Sequence, residues 1–314
     1  MKKGIRFLAF TDLHYDQMKD GDERLERIIR AIKENQPDFC ICLGDFCDPV
    51  EKNRILVERL KKTGCPIYFT VGNTELLRNS LEETLKFWEM DKPYYAFENE
   101  DYRFIILDTN YFRKKANEGN GGTGLSDYNE ELSFFGKNYK GEIFPIVPEE
   151  EMRWLEKQLE GEKKKIVFSH HSLANEFQQR GVYNRAELQD MFSRRNVILC
   201  MNGHDHGDGI LEKDGTVYYS LISASYIWLG IQIDSTEELK AKYGYLNGNL
   251  IYRDPFYVIV DIDGSDVRIN GMKGEYQSVT PDDIGLHDYR WNGVSIRPEA
   301  SSYHGNLREN LCQI

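Results

Sequence analysis

At 314 residues the chain is about twice a usual domain length, and 40% hydrophobic with 29% charged residues is the make-up of a folded globular protein. That excludes a disordered, collagen-like or disulfide-stapled chain. With 40 basic against 52 acidic residues the formal charge is -12, which repels bulk nucleic acid and anionic membrane surfaces.

Met1-Lys2-Lys3 precedes an apolar run that is broken at Arg6 and is too short for a secretory leader or a membrane span, so the expectation is a cytoplasmic protein without a membrane partner. Cys40, Cys42, Cys47, Cys65, Cys200 and Cys312 sit mostly inside apolar runs without zinc-finger spacing, and are expected as reduced thiols. Short apolar runs at Ile5 to Phe10, Phe39 to Leu43, Ile67 to Val71, Ile166 to Phe168 and Val197 to Met201 alternate with helical periodicity, the pattern of parallel strands joined by crossover helices. Leu25, Ile28, Ile29 and Ile32 define one helix face, and Ile55, Leu56 and Leu60 another. Ser80 with Glu83 forms a capping box, Pro148 opens a helix carrying Met152, Leu155 and Leu159, and Asn184 to Arg194 is a fifth helix.

Tyr94 to Phe97 and Tyr102 to Leu107 flank an Asn99-Glu100-Asp101 turn and predict a hairpin. The glycine-rich stretch Asn117 to Gly124 lacks the ending of a phosphate-cradling loop and reads as a mobile surface loop, with a lid as the alternative. Val217 to Ser223 and Tyr257 to Ile262 read as strands, Asp263-Gly264 as a hairpin turn, and the remainder as an irregular polar tail. No linker or repeat divides the chain. It is expected as one α/β domain over 1–314, with a motif-bearing core to about residue 225 and C-terminal strands and a polar tail over about 226–314.

The informative pattern lies just past the five core runs. They end in Thr11-Asp12-Leu13-His14, Gly44-Asp45-Phe46-Cys47-Asp48, Gly72-Asn73-Thr74-Glu75, Ser169-His170-His171 and Asn202-Gly203-His204-Asp205-His206. In an open α/β sheet the loops at the carboxyl ends of parallel strands converge on one crevice, so these residues would meet. Carboxylate and amide oxygens mixed with imidazole suit borderline ions such as manganese, iron or zinc, and the inventory exceeds one tetrahedral shell. Two ions bridged by a carboxylate would clamp an in-line displacement at phosphorus. Cys47 is expected to pack beneath the site, and Asp16 and Asp48 either orient imidazoles or cap turns. The aromatic residues Tyr218, Tyr219, Tyr226, Trp228, Tyr289 and Trp291 are expected in the core, with a pocket wall as the alternative.

These motifs, DxH, GDxxD, GN-T-E, a lone His and GHxH in that order over residues 12–206, resemble the calcineurin-like metallophosphoesterases. The resemblance implies a four-layer α/β/β/α sandwich with two central sheets. It places one divalent or trivalent metal on Asp12, His14 and His206, a second on Asn73, His170 and His204, and Asp45 between them. It further implies hydrolysis of a small-molecule phosphodiester or phosphomonoester by a metal-bound hydroxide. Two divalent ions against two carboxylates and a hydroxide leave roughly one positive charge, which draws an anionic ester into an acidic protein.

The chain departs from the family pattern at Thr74, where the family carries the histidine that protonates the leaving group. A positioned acid contributes about 10²- to 10⁴-fold in rate, and a hydroxyl cannot supply it. Three readings are open: a substrate whose leaving group needs little protonation, such as a nucleotide or pyrophosphate-like linkage; His171 as the replacement acid; or a non-catalytic metal- and phosphate-binding module. The expected catalytic set is Asp45, Asn73, Thr74 and His171.

Overall fold

The computed structural model describes residues 4–77, 79–99, 101–115, 124–126, 142–230, 237–243 and 248–307. Two six-stranded sheets dominate. The first contains β1 (Ile5–Phe10), β2 (Phe39–Cys42) and β3 (Ile67–Phe69), all parallel. The second contains β4 (Tyr95–Asn99), β5 (Tyr102–Ile106), β6 (Lys164–Ser169), β7 (Val197–Asn202), β8 (Gly209–Lys213) and β9 (Thr216–Ser220). In space its order is β8-β9-β7-β6-β5-β4, with β5, β6, β7 and β9 parallel and antiparallel strands at both edges.

The first sheet is completed by β10 (Val258–Asp263), β11 (Asp266–Asn270) and β12 (Tyr303–Asn306), in the order β12-β11-β10-β1-β2-β3. β10 lies antiparallel to β1, with Phe7 opposite Val260, and turns back through Asp263-Gly264 into β11. Part of the expected irregular tail is therefore sheet. β12 is an edge strand whose residues are half-buried or exposed, so it carries no apolar run for the eye to find.

Alternation along the strands builds the layers. On β1, Phe7 and Ala9 face Phe104, Phe168 and Met201 of the second sheet, while Leu8 and Phe10 face α1 (Gly21–Asn35), α2 (Arg54–Lys61) and α3 (Leu81–Trp88). On the far side Ile105, Val167 and Cys200 pack against α4 (Glu149–Gln158) and α5 (Arg185–Ser193). The stack is helices, sheet, sheet, helices. Phe7 stacks on Phe39 at 4.9 Å between centroids and meets Phe168 edge-on at 5.6 Å, so aromatic pairs join the two sheets.

The capping box at Ser80 and Glu83 is present, Pro148 caps α4, and the 95–99/102–106 hairpin forms. On α2 the inward face is Leu56, Val57 and Leu60; Ile55 is 54% exposed, one position off the expected stripe. Cys40, Cys42, Cys47, Cys65 and Cys200 are free thiols, and Cys312 lies outside the described residues. So do residues 117–123 of the glycine-rich stretch. No helix among the described residues is long and apolar enough to cross a membrane.

Candidate metal centre

The expected residues sit in loops that leave the carboxyl ends of β1, β2, β3, β6 and β7. Four come from the first sheet (Asp12, His14, Asp45, Asn73) and three from the second (His170, His204, His206). The loops are zipped together through their backbones: the Asp12 amide donates to Gly44 O at 3.0 Å and the His14 amide to Asp45 O at 2.9 Å. Ser223 and Ser225 donate their hydroxyls to the Asp12 and Leu13 carbonyls from the segment after β9. Asp12, His14, Asp45, His204 and His206 all hold positive φ, between 46° and 61°. Each such non-glycine residue costs roughly 1–3 kcal/mol, and their concentration here marks a functional site.

Asp12, His14, Asp45 and His206 present ligand atoms that all lie within 4.8 Å of one another. Nε2 of His14 and Nε2 of His206 face each other at 3.1 Å; Asp12 Oδ1 is 3.2 Å from the latter and Asp45 Oδ2 3.6 Å from the former. His206 Nδ1 is tied to the Tyr226 carbonyl, which turns Nε2 inward. Asp12 Oδ2 is occupied by the Thr11 hydroxyl and the His204 amide, whereas the buried Oδ1 accepts no hydrogen bond. A buried carboxylate oxygen without a donor, ringed by imidazole nitrogens, fits a cation.

The second half of the site begins on the other oxygen of Asp45. Oδ1 lies 3.5 Å from His170 Nε2 and accepts from the Thr74 amide at 2.9 Å, and His170 Nε2 is 2.9 Å from Asn73 Oδ1. His170 Nδ1 is held by the Leu43 carbonyl. The His204 ring centroid is 5.0 Å from that of His170, and its Nε2 is taken by Gln179 O at 2.7 Å, which leaves Nδ1 as its free ligand atom. Burial pushes His14 down to about 4 and His204 well below its ordinary value, so both rings are neutral, as ligation requires. Burial opposes ionisation of Asp12, but His206 and His170 outweigh it and keep the carboxylate charged.

Glu75, two positions past Asn73, is the keystone of this half. Its buried carboxylate accepts from the amides of Asp45, Phe46 and Gly72, fixing the β2 and β3 loops together. Gly44 has φ +100°, and a Cβ there would run into His170 Nδ1. G44A is expected to cost at least about 1–2 kcal/mol from the backbone alone and to displace His170. A lowered unfolding midpoint together with weaker metal uptake checks this.

His171 is fully buried. Its Nδ1 and amide both engage Thr109 Oγ1, its Nε2 meets no partner, and Phe112 packs edge-on to the ring. Burial holds it neutral. The ring lies 4.1 Å from that of His204 and 5.1 Å from that of His170. Thr74 is half-buried, and its backbone holds Asp45. Asp16 binds the Asp48 amide, Asn53 and Lys52, a tie between loops in place of an imidazole partner. Among the aromatic residues, Tyr218 and Tyr219 are core, Tyr289 and Trp291 pack partly buried against it, Tyr226 lies 5.0 Å from both the His14 and His206 rings, and Trp228 is 44% exposed.

Residues without a sequence signal complete the support. At the end of β5, Asn110 Nδ2 donates to Val71 O just ahead of Gly72, and the Asp108 amide donates to Glu151 Oε1 on α4. Burial raises Asp108, and burial with Asp108 nearby raises Glu151 well above the carboxylate range. The folded pair keeps a proton that the unfolded chain releases. Its contribution to stability is complete in acid, below the ordinary carboxylate values, and is lost as pH rises toward and beyond neutrality. E151Q removes one charge of the pair, so its denaturant midpoint should fall less steeply than wild type between about pH 5 and about pH 9.

Residues 5–208 match the sequence profile of the calcineurin-like phosphoesterases. The chain belongs to the calcineurin-like phosphoesterase family. A comparison with curated proteins returned no match. Among solved structures its fold is similar to a dimetal phosphatase from Danio rerio, at 12% identity and a TM-score of 0.54, covering 87% of this chain and 96% of that one. It is also similar to GAP50, the anchor in the inner membrane complex of Plasmodium, at 16% identity and a TM-score of 0.57, covering 98% and 90%.

Proposed function

We propose that this phosphoesterase is a two-metal hydrolase of a small-molecule phosphodiester or phosphomonoester. Asp12, His14 and His206 would hold one ion and Asn73, His170 and His204 the other, with Asp45 facing both groups. The observation that carries this is the pose of Asp45, whose oxygens diverge, Oδ2 toward His14 and Oδ1 toward His170. Bound divalent ions of the manganese, iron or zinc kind supply Lewis acidity and an activated water at neutral pH.

The chain supplies placement and charge. Two divalent ions against the two carboxylates of Asp12 and Asp45 would leave a loaded site net positive, so it would bind the phosphoryl group electrostatically. Asn73 turns Oδ1 toward His170, which leaves its amide NH₂ as a donor for a phosphoryl oxygen. Glu75 and the Thr74 amide hold Asp45 still, so the clamp is preorganised. Neither Thr74 nor the buried His171 donates a proton to the leaving group. The free thiols suit a reducing compartment, the cytoplasm.

The second reading, a non-catalytic metal- and phosphate-binding module, rests on Thr74 alone. Manganese-reconstituted protein assayed on bis-p-nitrophenyl phosphate separates the two. Metal-dependent turnover supports the hydrolase, and full metal occupancy without turnover supports the module.

A further inference from the structure

Asp108, Asn110 and Glu151 form a second buried polar cluster, made of residues that the metal centre does not use. Each is 1% exposed. They are bonded in series: the Asp108 amide donates to Glu151 Oε1 at 2.8 Å, and Asp108 Oδ1 accepts from the amide and from Nδ2 of Asn110 at 3.0 and 2.9 Å. Asn110 Nδ2 also donates to Val71 O, so both of its hydrogens are used and the orientation of its amide is fixed. One oxygen on each residue is left over. Asp108 Oδ2, Asn110 Oδ1 and Glu151 Oε2 are all buried and meet no donor.

A buried acceptor without a donor is costly, and three around one junction call for a common partner. A proton shared by the two carboxyls, which burial favours, serves two of the oxygens at most, and the amide oxygen of Asn110 takes none. A water has two hydrogens for three oxygens and leaves two carboxylates without a counter-charge. A divalent cation meets all three oxygens and balances both carboxylates. Oxygen alone, without imidazole or thiolate, suits a hard ion, in contrast to the mixed donor set of the metal centre. Calcium accepts carboxylate and amide oxygens in irregular geometry, whereas magnesium holds to an octahedron and keeps its waters. We propose that Asp108, Asn110 and Glu151 form a calcium site where the end of β5 meets α4 and the β3 loop. Because Asn110 is tied to Val71, two residues ahead of Asn73, an ion there would brace one loop of the metal centre.

The cluster also has an approach and a reporter. β3 and β4 are edge strands of the two sheets, and a cleft of about 590 Å³ between them is lined by Tyr68, Tyr94 and Tyr95 and, from α4, by Trp154 and Gln158. Burial and the charges of Glu150, Glu151 and Asp108 raise the Tyr94 hydroxyl, which places that ring beside the cluster. Trp154 is three residues past Glu151, and its ring lies 4.9 Å from that of Tyr94.

The test uses the zinc-loaded full chain and terbium(III), which takes the place of calcium and emits when a nearby aromatic ring is excited. The expected result is sensitised emission that saturates at one equivalent and is displaced by calcium more readily than by magnesium. D108N and E151Q should each weaken calcium binding at least about tenfold, and W154F should dim the emission at unchanged calcium affinity. Asp12→Asn, which removes a ligand of the metal centre, should keep the site. Calcium at about a hundred times its dissociation constant should raise the melting temperature of wild type by several degrees, and of E151Q far less. Wild type that shows neither emission nor a calcium-dependent shift overturns the proposal and leaves the junction with a proton or water only. Emission that survives both D108N and E151Q, or that is lost in D12N, places the ion elsewhere and overturns it equally. Preferential displacement by magnesium overturns the assignment to calcium.

Discussion

Thr74→His should raise kcat/KM on dialkyl phosphates by up to about 10²- to 10⁴-fold, the usual contribution of a positioned acid, while bis-p-nitrophenyl phosphate gains far less. The backbone at this position is already held by its hydrogen bond to Asp45 Oδ1, and the side chain is half-buried. The asymmetry is the decisive measurement. A nitrophenolate departs without a proton and an alkoxide does not, so steady-state kinetics on the two esters isolates protonation of the leaving group. Equal gains, or none, would show that Thr74 is not where the missing proton donor belongs.

Asp12→Asn should abolish high-affinity metal uptake and lower activity by at least about 10²- to 10³-fold, and should also leave the metal-stripped protein less stable than wild type. In the absence of a cation the Asp12 carboxylate is held ionised by His206 and His170, which outweigh its burial and the neighbouring Asp45. A carboxylate favoured in its charged form by the fold stabilises that fold above its unfolded value, and an amide forgoes the attraction. Metal at about a hundred times its dissociation constant should stabilise wild type by about 2.7 kcal/mol. That corresponds to several degrees in melting temperature, and the variant should lose the shift. Thermal unfolding with manganese and with chelator checks both effects; a variant as stable as wild type or more so under chelation would contradict the account.

Most of the site was legible because strand-end loops leave a compositional trace. The runs Phe39 to Leu43 and Val197 to Met201 are buried on both faces, so they read as continuous apolar strands, and the polar residues just past them stand out. What was not legible lies in residues whose partners are distant in sequence. Arg180 occupies a loop without periodicity, and its contact with His204 exists only after the loop folds back. Asp108, Thr109 and Asn110 look like ordinary turn residues after a strand, yet they are buried and brace both Val71 and His171. Adjacent histidines are likewise indistinguishable in a string; in the fold the His170 ring meets Asn73, and the His171 ring meets Thr109 and Phe112. Glu75 was visible as a letter of the motif, but its grip on three amides was not.

The division of the ligands between the two sheets has a consequence for assembly. On the proposed ligand set neither half of the molecule would own a complete coordination shell: the first sheet brings the carboxylates, Asn73 and one imidazole, and the second brings the remaining imidazoles. A partly folded chain with only the first sheet in place would offer Asp12, His14 and Asp45 but would lack His206 to complete that group. Metal capture thus acts as an inspection of tertiary docking, and the bound pair would serve as a crossbar pinning one half to the other at the rim where their shared apolar filling gives way to solvent.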